Sequence, residues 1–263
     1  MKLLVFRSLW GMDGDPETML RRIADAGFDG VEGVPAGLTP VQYKKMLRDH
    51  GLHLAVCIYA SDAEAFGSQL QKLCEYEPLR IISHSGRDAM THDEGCAFFE
   101  QALSHQSKAG VEVGHETHRG RLLYTPWDTL YYLRQLPTLK INADFSHWMN
   151  VCERFPNDQN EALELACSRA MNIHGRVGYE EGPQVPDPSA PEYRYHLKWH
   201  ETQWTAIRKA HEQAGCEYIT FTPEYGPPPY MPTMPHTNAP VADLWTVCLW
   251  AAARIREIWR DIA

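Results

Sequence analysis

AGFDGVE, residues 26–32, reads as a helix that stops on Gly27 and a short strand that starts almost at once. The same grammar recurs as HGLHLAV (50–56), AGVEVGH (109–115) and AGCEYIT (214–220). A glycine enters left-handed backbone without a Cβ penalty, so it ends a helix cleanly, and an immediate strand is what a tight α-to-β connection needs. The four repeats therefore predict helices alternating with strands, the pattern of a parallel sheet.

Working outward from these stops gives eight units. The first four are a strand at 3–6 with a helix begun by Asp15-Pro16-Glu17, a strand at 30–33 with a helix begun by Thr39-Pro40, a strand at 52–59 with a helix carrying Phe66, Leu70 and Leu73, and a strand at 80–84 with a helix opened by Thr91 and Glu94. Strands at 111–116, 139–147, 172–177 and 218–224 follow, with helices after Thr125-Pro126, around 161–169, over 196–214 and from 241 to about 258. Loops rich in glycine and proline cover 178–191 and 227–240. Eight units in 263 residues predict an α/β protein, a single (β/α)8 TIM barrel with a parallel eight-stranded core, as one domain over 1–263. A doubly wound open sheet is the competing architecture; no GxGxxG follows the first strand and no composition shift divides the chain.

A hydrophobic fraction of 44% and a charged fraction of 22% are those of a soluble globule with a large core. The net charge of −9 argues against a nucleic-acid partner, whose phosphates call for clustered Lys and Arg. No apolar run approaches the roughly 20 residues of a membrane span, and the strand-like MKLLVF start does not read as a signal sequence, so a cytoplasmic location is expected. The 7 cysteines stand singly, without a CxxC pair, and fit reduced thiols better than disulfides or a zinc ribbon.

LKINADFSHW, residues 139–148, is where chemistry first shows. Ile141 and Ala143 alternate with Asn142 and Asp144, and the run closes on Ser146-His147, so it reads as a strand delivering a carboxylate and an imidazole at its C-terminal end. The plainer alternative for this stretch alone is a turn in which Asp144 caps the next segment. Neighbouring strands end similarly, with Glu116, His174 and Glu224. In a (β/α)8 barrel these ends share one bowl, so three carboxylates and one imidazole converge. Unneutralised, the acids would repel one another. The donor set suits Mn²⁺ first, with Mg²⁺, Co²⁺ or Zn²⁺ as alternatives. Solvated rim residues at the same strand ends are the metal-free alternative.

Glu116, Asp144-Phe-Ser-His147, His174 and Glu224, together with GFDGVE in the second strand, resemble the xylose isomerase-like barrel superfamily, many of whose members are labelled sugar phosphate isomerase/epimerase. The superfamily includes ketose 3-epimerases, hydroxypyruvate isomerase, inosose dehydratase and endonuclease IV. The resemblance implies one divalent ion held by Glu116, Asp144, His174 and Glu224, proton exchange with the sugar carbon by Glu116 and Glu224, and a His147 that touches substrate oxygens. The chain departs from the epimerase pattern at Glu116-Thr117-His118-Arg119, where epimerases show E-P-x-N, and at HGRVGYEEGPQVPDP, where they show H-x-x-E-x-x-R. Arg176 is the candidate for that substrate-binding arginine.

Lesser candidates for substrate contact are Glu32, His84, His118 and Trp10. Glu32 could instead bond a neighbouring loop, and His84 could be a satisfied buried histidine. His118, Arg119 and Arg121 could form a cationic cluster for a carboxylate or phosphate, or a solvated loop. His115 should point away from the barrel interior by strand alternation. Trp10, Trp148 and Tyr225 would wall the bowl.

The expected activity is a metal-dependent isomerase or epimerase of a ketose or related polyol, acting through a metal-stabilised cis-enediolate, with a small carbohydrate as partner and oligomeric state open. The alternative is a lyase or dehydratase of a keto-sugar, keto-inositol or 3-keto-glycoside. An endonuclease IV-like nuclease and a non-catalytic sugar-binding barrel stand behind both.

Overall fold

The structure is a computed structural model that describes residues 1–262. Its strands form a closed barrel in chain order, and the parallel pairing of Lys2 with Tyr218 through Val5 with Phe221 closes the last strand on the first. The strands are β1 (Lys2–Ser8), β2 (Gly30–Glu32), β3 (His53–Ala60), β4 (Arg80–Ser85), β5 (Gly114–Glu116), β6 (Lys140–Ala143), β7 (Ala170–His174) and β8 (Tyr218–Thr222). Helices α1 (Pro16–Asp25), α2 (Pro40–Asp49), α3 (Ala63–Cys74), α4 (His92–Ala109) and α5 (Pro126–Gln135) follow the first five strands. Two helices, α6 (Ser146–Cys152) and α7 (Asn160–Arg169), fill the next crossover, and α8 (Arg194–Gln213) and α9 (Leu244–Ile258) complete the ring.

The punctuation that predicts the fold is present atom by atom. Gly27, Gly51, Gly110 and Gly215 adopt φ of 77°, 68°, 68° and 71°, left-handed backbone that a β-carbon would strain. Asp15, Thr39, Thr91 and Thr125 each accept a hydrogen bond from a backbone N–H in the first turn of their helices, and Thr39 with Gln42 and Thr91 with Glu94 complete capping boxes.

Strand alternation sorts the side chains into two environments. Val5, Val31, Val56, Ile58, Ile81, Ile141, Ile173 and Ile219 face outward into one apolar cluster with Phe66, Phe98, Tyr132 and Trp204 of the helices. Facing inward, Leu4, Phe6 and Ala55 plug the lower barrel, and Arg80 bonds Thr220 and Tyr218 beside them. Higher in the barrel the inward positions turn polar. His115 points outward, as alternation requires, and stacks on Phe66 with ring centroids 5.7 Å apart. Its neutral form is written into a chain of bonds: Val113 N donates to Gln106 Oε1 (3.1 Å), Gln106 Nε2 to His115 Nε2 (2.9 Å), His115 Nδ1 to Ser85 Oγ (2.6 Å) and Ser85 Oγ to Ser83 Oγ (2.8 Å).

Several boundaries differ from the sequence reading. The sixth strand stops at Ala143 instead of running to residue 147, because Asp144 Oδ1 accepts from Ser146 N (3.0 Å) and turns the chain into α6. The fifth strand begins at Gly114, and the seventh and eighth end at His174 and Thr222, short of residues 177 and 224. The last helix starts at Leu244 instead of 241, where Asp243 caps Thr246 N at 2.8 Å. Among the described residues, no helix is long and apolar enough to cross a membrane.

Candidate metal centre and cavity

At the C-terminal mouth, Glu116, Asp144, His174 and Glu224 are all buried, and each offers a ligand atom within 4.8 Å of the others. They come from the end of β5, the turn after β6, the end of β7 and the segment after β8. His174 is central: Nδ1 lies 3.2 Å from Glu116 Oε2 and 3.0 Å from Glu224 Oε2, while Nε2 lies 3.0 Å from Glu32 Oε2. With Nε2 donating to Glu32, the ring angle is fixed and Nδ1 is aimed between Glu116 and Glu224, where it carries a proton that a bound cation would displace to use the Nδ1 lone pair. Thr222 Oγ1 donates to the same Glu32 oxygen at 3.0 Å. One layer below, Asn142 Nδ2 donates to Glu116 Oε2 (3.1 Å) and Asn172 Nδ2 to Asn142 Oδ1 (2.7 Å), which sets the Glu116 carboxylate.

The donors fit a divalent cation. Glu116 Oε1 is buried without a hydrogen-bond partner, a condition that costs about 1–3 kcal/mol unless something fills it, and His174 Nδ1 and Glu224 Oε2 meet at 3.0 Å as charges outside hydrogen-bond geometry. Asp144 is more engaged: Oδ1 accepts from Ser146 N and Oγ, and Oδ2 meets Arg176 Nη2. Arg176 also lies 3.3 Å from Glu224 Oε2 and donates to Ser146 Oγ (3.2 Å), Glu224 O (3.2 Å) and His147 Nε2 (2.8 Å). The charges are strongly biased. Burial works against ionised Glu116, but His84 and His174 prevail and hold its carboxyl well below the usual range. Burial raises Asp144 to about 6 despite Arg176. Burial also opposes charge on His174, yet Glu224, Glu32 and Glu116 lift it well above an ordinary histidine.

A cavity of about 560 Å³ opens over the centre, within the size range of sites that enclose small molecules. Its polar lining includes Glu32, His84, His118, Arg176 and Glu224, and its apolar lining includes Leu9, Trp10, Val34 and Tyr59.

No protein-family model and no curated protein sequence matches the chain. Solved structures do. The 3-keto-D-glucoside 4-epimerase from E. coli superposes with a TM-score of 0.64 at 15% identity, over 97% of this chain and 100% of that one. A protein from Mycobacterium smegmatis, described as a xylose isomerase-like TIM barrel in complex with magnesium, gives 0.64 at 14% identity over 99% and 98%. The chain has the xylose isomerase-like TIM barrel fold. It also matches, at 15% identity and a TM-score of 0.62, a xylose isomerase-like TIM barrel/4-hydroxyphenylpyruvate dioxygenase fusion protein, of which it spans 45%. The fold also occurs in a probable 3-DHS dehydratase and a family 2 AP endonuclease, so it does not by itself select a reaction.

On this barrel the remaining candidates fall as follows. Glu32 reaches the cavity but bonds His174. His84 lies 3.2 Å from Glu116 Oε2, its ring 4.4 Å from that of His118. His147 is fully buried behind His118, ring centroids 3.9 Å apart, with Nδ1 unpartnered. Burial, then His118 and Arg176, keep it neutral. Trp10 lines the cavity. Trp148 and Tyr225 do not wall it: Trp148 lies on α6, stacked on Phe145 and donating to Leu123 O (3.1 Å), and the Tyr225 hydroxyl accepts from Val177 N (3.1 Å). The wall that sequence reasoning missed is Tyr230. Its ring meets Trp10 edge-on at 4.9 Å and takes the guanidinium groups of Arg119 and Arg176 at 5.0 and 4.9 Å. Gln184 anchors its loop by bonding both N (2.7 Å) and O (3.1 Å) of Gly226, where a β-carbon would stand 2.1 Å from Trp10.

Proposed function

We propose that this chain is a divalent-metal-dependent isomerase or epimerase of a ketose-type carbohydrate. The observation that carries the reading is the convergence of Glu116, Asp144, His174 and Glu224 at the floor of the cavity, with Glu116 Oε1 left without a hydrogen-bond partner. When bound, the cation polarises a carbonyl and its neighbouring hydroxyl and stabilises the charge that develops as a C–H bond ionises. Glu224 reaches the cavity wall, so it is assigned the first proton abstraction from carbon; Glu116 is the second carboxylate of the pair. The carbon-bound proton passes to a carboxylate oxygen and is returned to the same or the neighbouring carbon, leaving the substrate's composition unchanged. Glu32 holds the His174 ring, Arg176 holds Asp144, and Trp10 and Tyr230 exclude water and offer flat apolar faces to a sugar.

The lyase alternative is favoured by the cavity itself, which has room beside the metal centre for a leaving group such as an aglycone. One experiment separates the readings. Protein loaded with Mn²⁺ is incubated in D₂O with a panel of free ketoses and 3-keto-glycosides and followed by NMR and mass spectrometry. Deuterium at carbon with otherwise unchanged mass supports the isomerase, loss of water or aglycone supports the lyase, and neither across the panel overturns both.

A further inference from the structure

Charge is not spread evenly around the mouth of the barrel. The ends of β4 to β8 and the residues just beyond them supply His84, His118, Arg176 and Glu224 to the cavity, whereas the ends of β1 to β3 supply Leu9, Trp10, Val34 and Tyr59. Among the described residues, Glu32 is the one acid lining that second side, and its oxygens are already engaged: Oε2 meets His174 Nε2 (3.0 Å) and Thr222 Oγ1 (3.0 Å), and Cys57 Sγ lies 3.8 Å from Oε1. Ser8 Oγ accepts from Trp10 N at 3.2 Å. A sugar hydroxyl turned toward β1 to β3 would leave water and find little beyond the Tyr59 hydroxyl to bond, which is unfavourable for a polar group. The aromatic surface there is open and held in place. Trp10 is 36% exposed and meets Tyr230 edge-on. Tyr59 is 58% exposed, its ring lies 4.7 Å from that of His84, and its backbone N and O are bonded by Gln69 of α3 at 3.0 and 2.7 Å. Large aromatic side chains left in water on one side of a cavity mark a surface that gains by being covered.

We propose that the uncharged side of the cavity, between Trp10, Val34 and Tyr59, is a subsite for a flat aromatic group carried by the carbohydrate, so that the substrate is an aryl-substituted sugar and not a free one. The sugar ring lies over the four-residue centre, and the aryl group projects toward β1 to β3, where Trp10 and Tyr59 offer ring faces and Leu9 and Val34 close its edges. An aliphatic substituent would bury area there without the stacking, and a charged one would lose its hydration for no partner of opposite sign. Two aromatic contacts of ordinary strength amount to about tenfold in affinity. The volume of about 560 Å³ is within the range that encloses drug-sized ligands. The inference rests on the proposed function only for the identity of the group over the metal centre, and it holds for the isomerase and the lyase alike.

The test compares phenyl β-D-glucoside with methyl β-D-glucoside on the full-length protein in Mg²⁺, with affinity read by calorimetry and contacts by saturation-transfer NMR. The wild type should bind the phenyl glucoside about tenfold or more tighter, with the strongest transfer to the phenyl protons. Tyr59→Ala and Val34→Asn should each bring the phenyl-to-methyl ratio toward one without lowering the melting temperature, and Tyr59→Phe should keep it. Equal affinities in the wild type, no binding of the phenyl glucoside, or an advantage that survives both Tyr59→Ala and Val34→Asn each overturns the subsite. Turnover of the ketose and keto-glycoside panel is scored separately. A phenyl advantage without turnover keeps the subsite and removes the proposed reaction, whereas turnover of free ketoses without a phenyl advantage keeps the reaction and removes the subsite.

Discussion

Replacing Arg176 by methionine tests how the metal centre is held together when no ion is bound. The guanidinium is 1% exposed and faces Asp144 and Glu224, themselves buried beside Glu116. Methionine keeps much of the stem volume, so the change is mainly one of charge. Removing one partner of a buried ion pair costs about 3–5 kcal/mol, because the other charge stays behind unpaired. For a chain of this size about 1 kcal/mol moves the midpoint by 2–4 °C, so Arg176→Met should melt roughly 6 to 20 °C below wild type in EDTA. The deficit should grow between about pH 5 and pH 8. Loss of the guanidinium raises Asp144 beyond its present value of about 6, and a carboxyl whose folded pKa exceeds its unfolded one of about 3.9 loses stability as pH rises through the folded value. Saturating Mn²⁺ supplies the missing positive charge, so it should raise the variant's midpoint by more than it raises the wild type's. Thermal unfolding followed by circular dichroism, with EDTA and with Mn²⁺, reads all three effects. A variant that melts within about 2 °C of wild type in EDTA, at any pH, would refute the idea that Arg176 neutralises the centre.

Glu32→Gln keeps the shape beside His174 but removes the charge that orients it, and should weaken Mn²⁺ binding by about 10- to 100-fold in calorimetry with little change in melting temperature; unchanged affinity would mean the ring is held by packing alone. Glu224→Ala should fold, bind Mn²⁺ more weakly and show no turnover, whereas His147→Ala should retain the metal and lose mainly kcat; wild-type turnover in Glu224→Ala would remove the basis of the proposed chemistry. Burial holds His115 and His200 neutral down to about pH 3. The unfolded chain takes up these protons below about 6.5, so each histidine contributes stability that is present above that pH and lost as pH falls, about 2 kcal/mol apiece by pH 5. Urea unfolding at about pH 7.5 and 5 should show a dependence shallower by about that amount in His115→Gln, and identical slopes would count against the buried neutral network.

The parts legible from sequence are those written in local backbone chemistry and in strand phase. The glycine stops and the Asp and Thr caps needed no tertiary information, and alternation along β5 placed Glu116 inward and His115 outward. Asn142 and Asn172 precede Asp144 and His174 by two residues, the same phase, and could have been assigned to the bowl by that rule. Trp148 was misplaced because a strand was extended through Asp144, whose side chain starts a helix and resets the periodicity from 2 to 3.6. Both readings of that aspartate describe it, since one oxygen caps the turn and the other faces Arg176. Tyr230 and Gln184 lie in irregular loops, where no period predicts which side chains reach the bowl.

The contact between Glu32 and His174 joins residues 142 positions apart, and that between Thr222 and Glu32 joins residues 190 apart. Every strand that supplies the four-residue centre lies among the last four of the barrel, β5 to β8, yet the group that aims its histidine comes from β2, brought alongside by the seam between β1 and β8. A half-barrel of β5 to β8 would own the acids and the imidazole but leave that ring unaimed. Under the proposed metal reading, tight capture of the cation reports that the circle has closed, because the closed barrel is what brings Glu32 to His174. Once captured, it acts as a latch across that seam, so it should slow the opening of the barrel more than it speeds its formation.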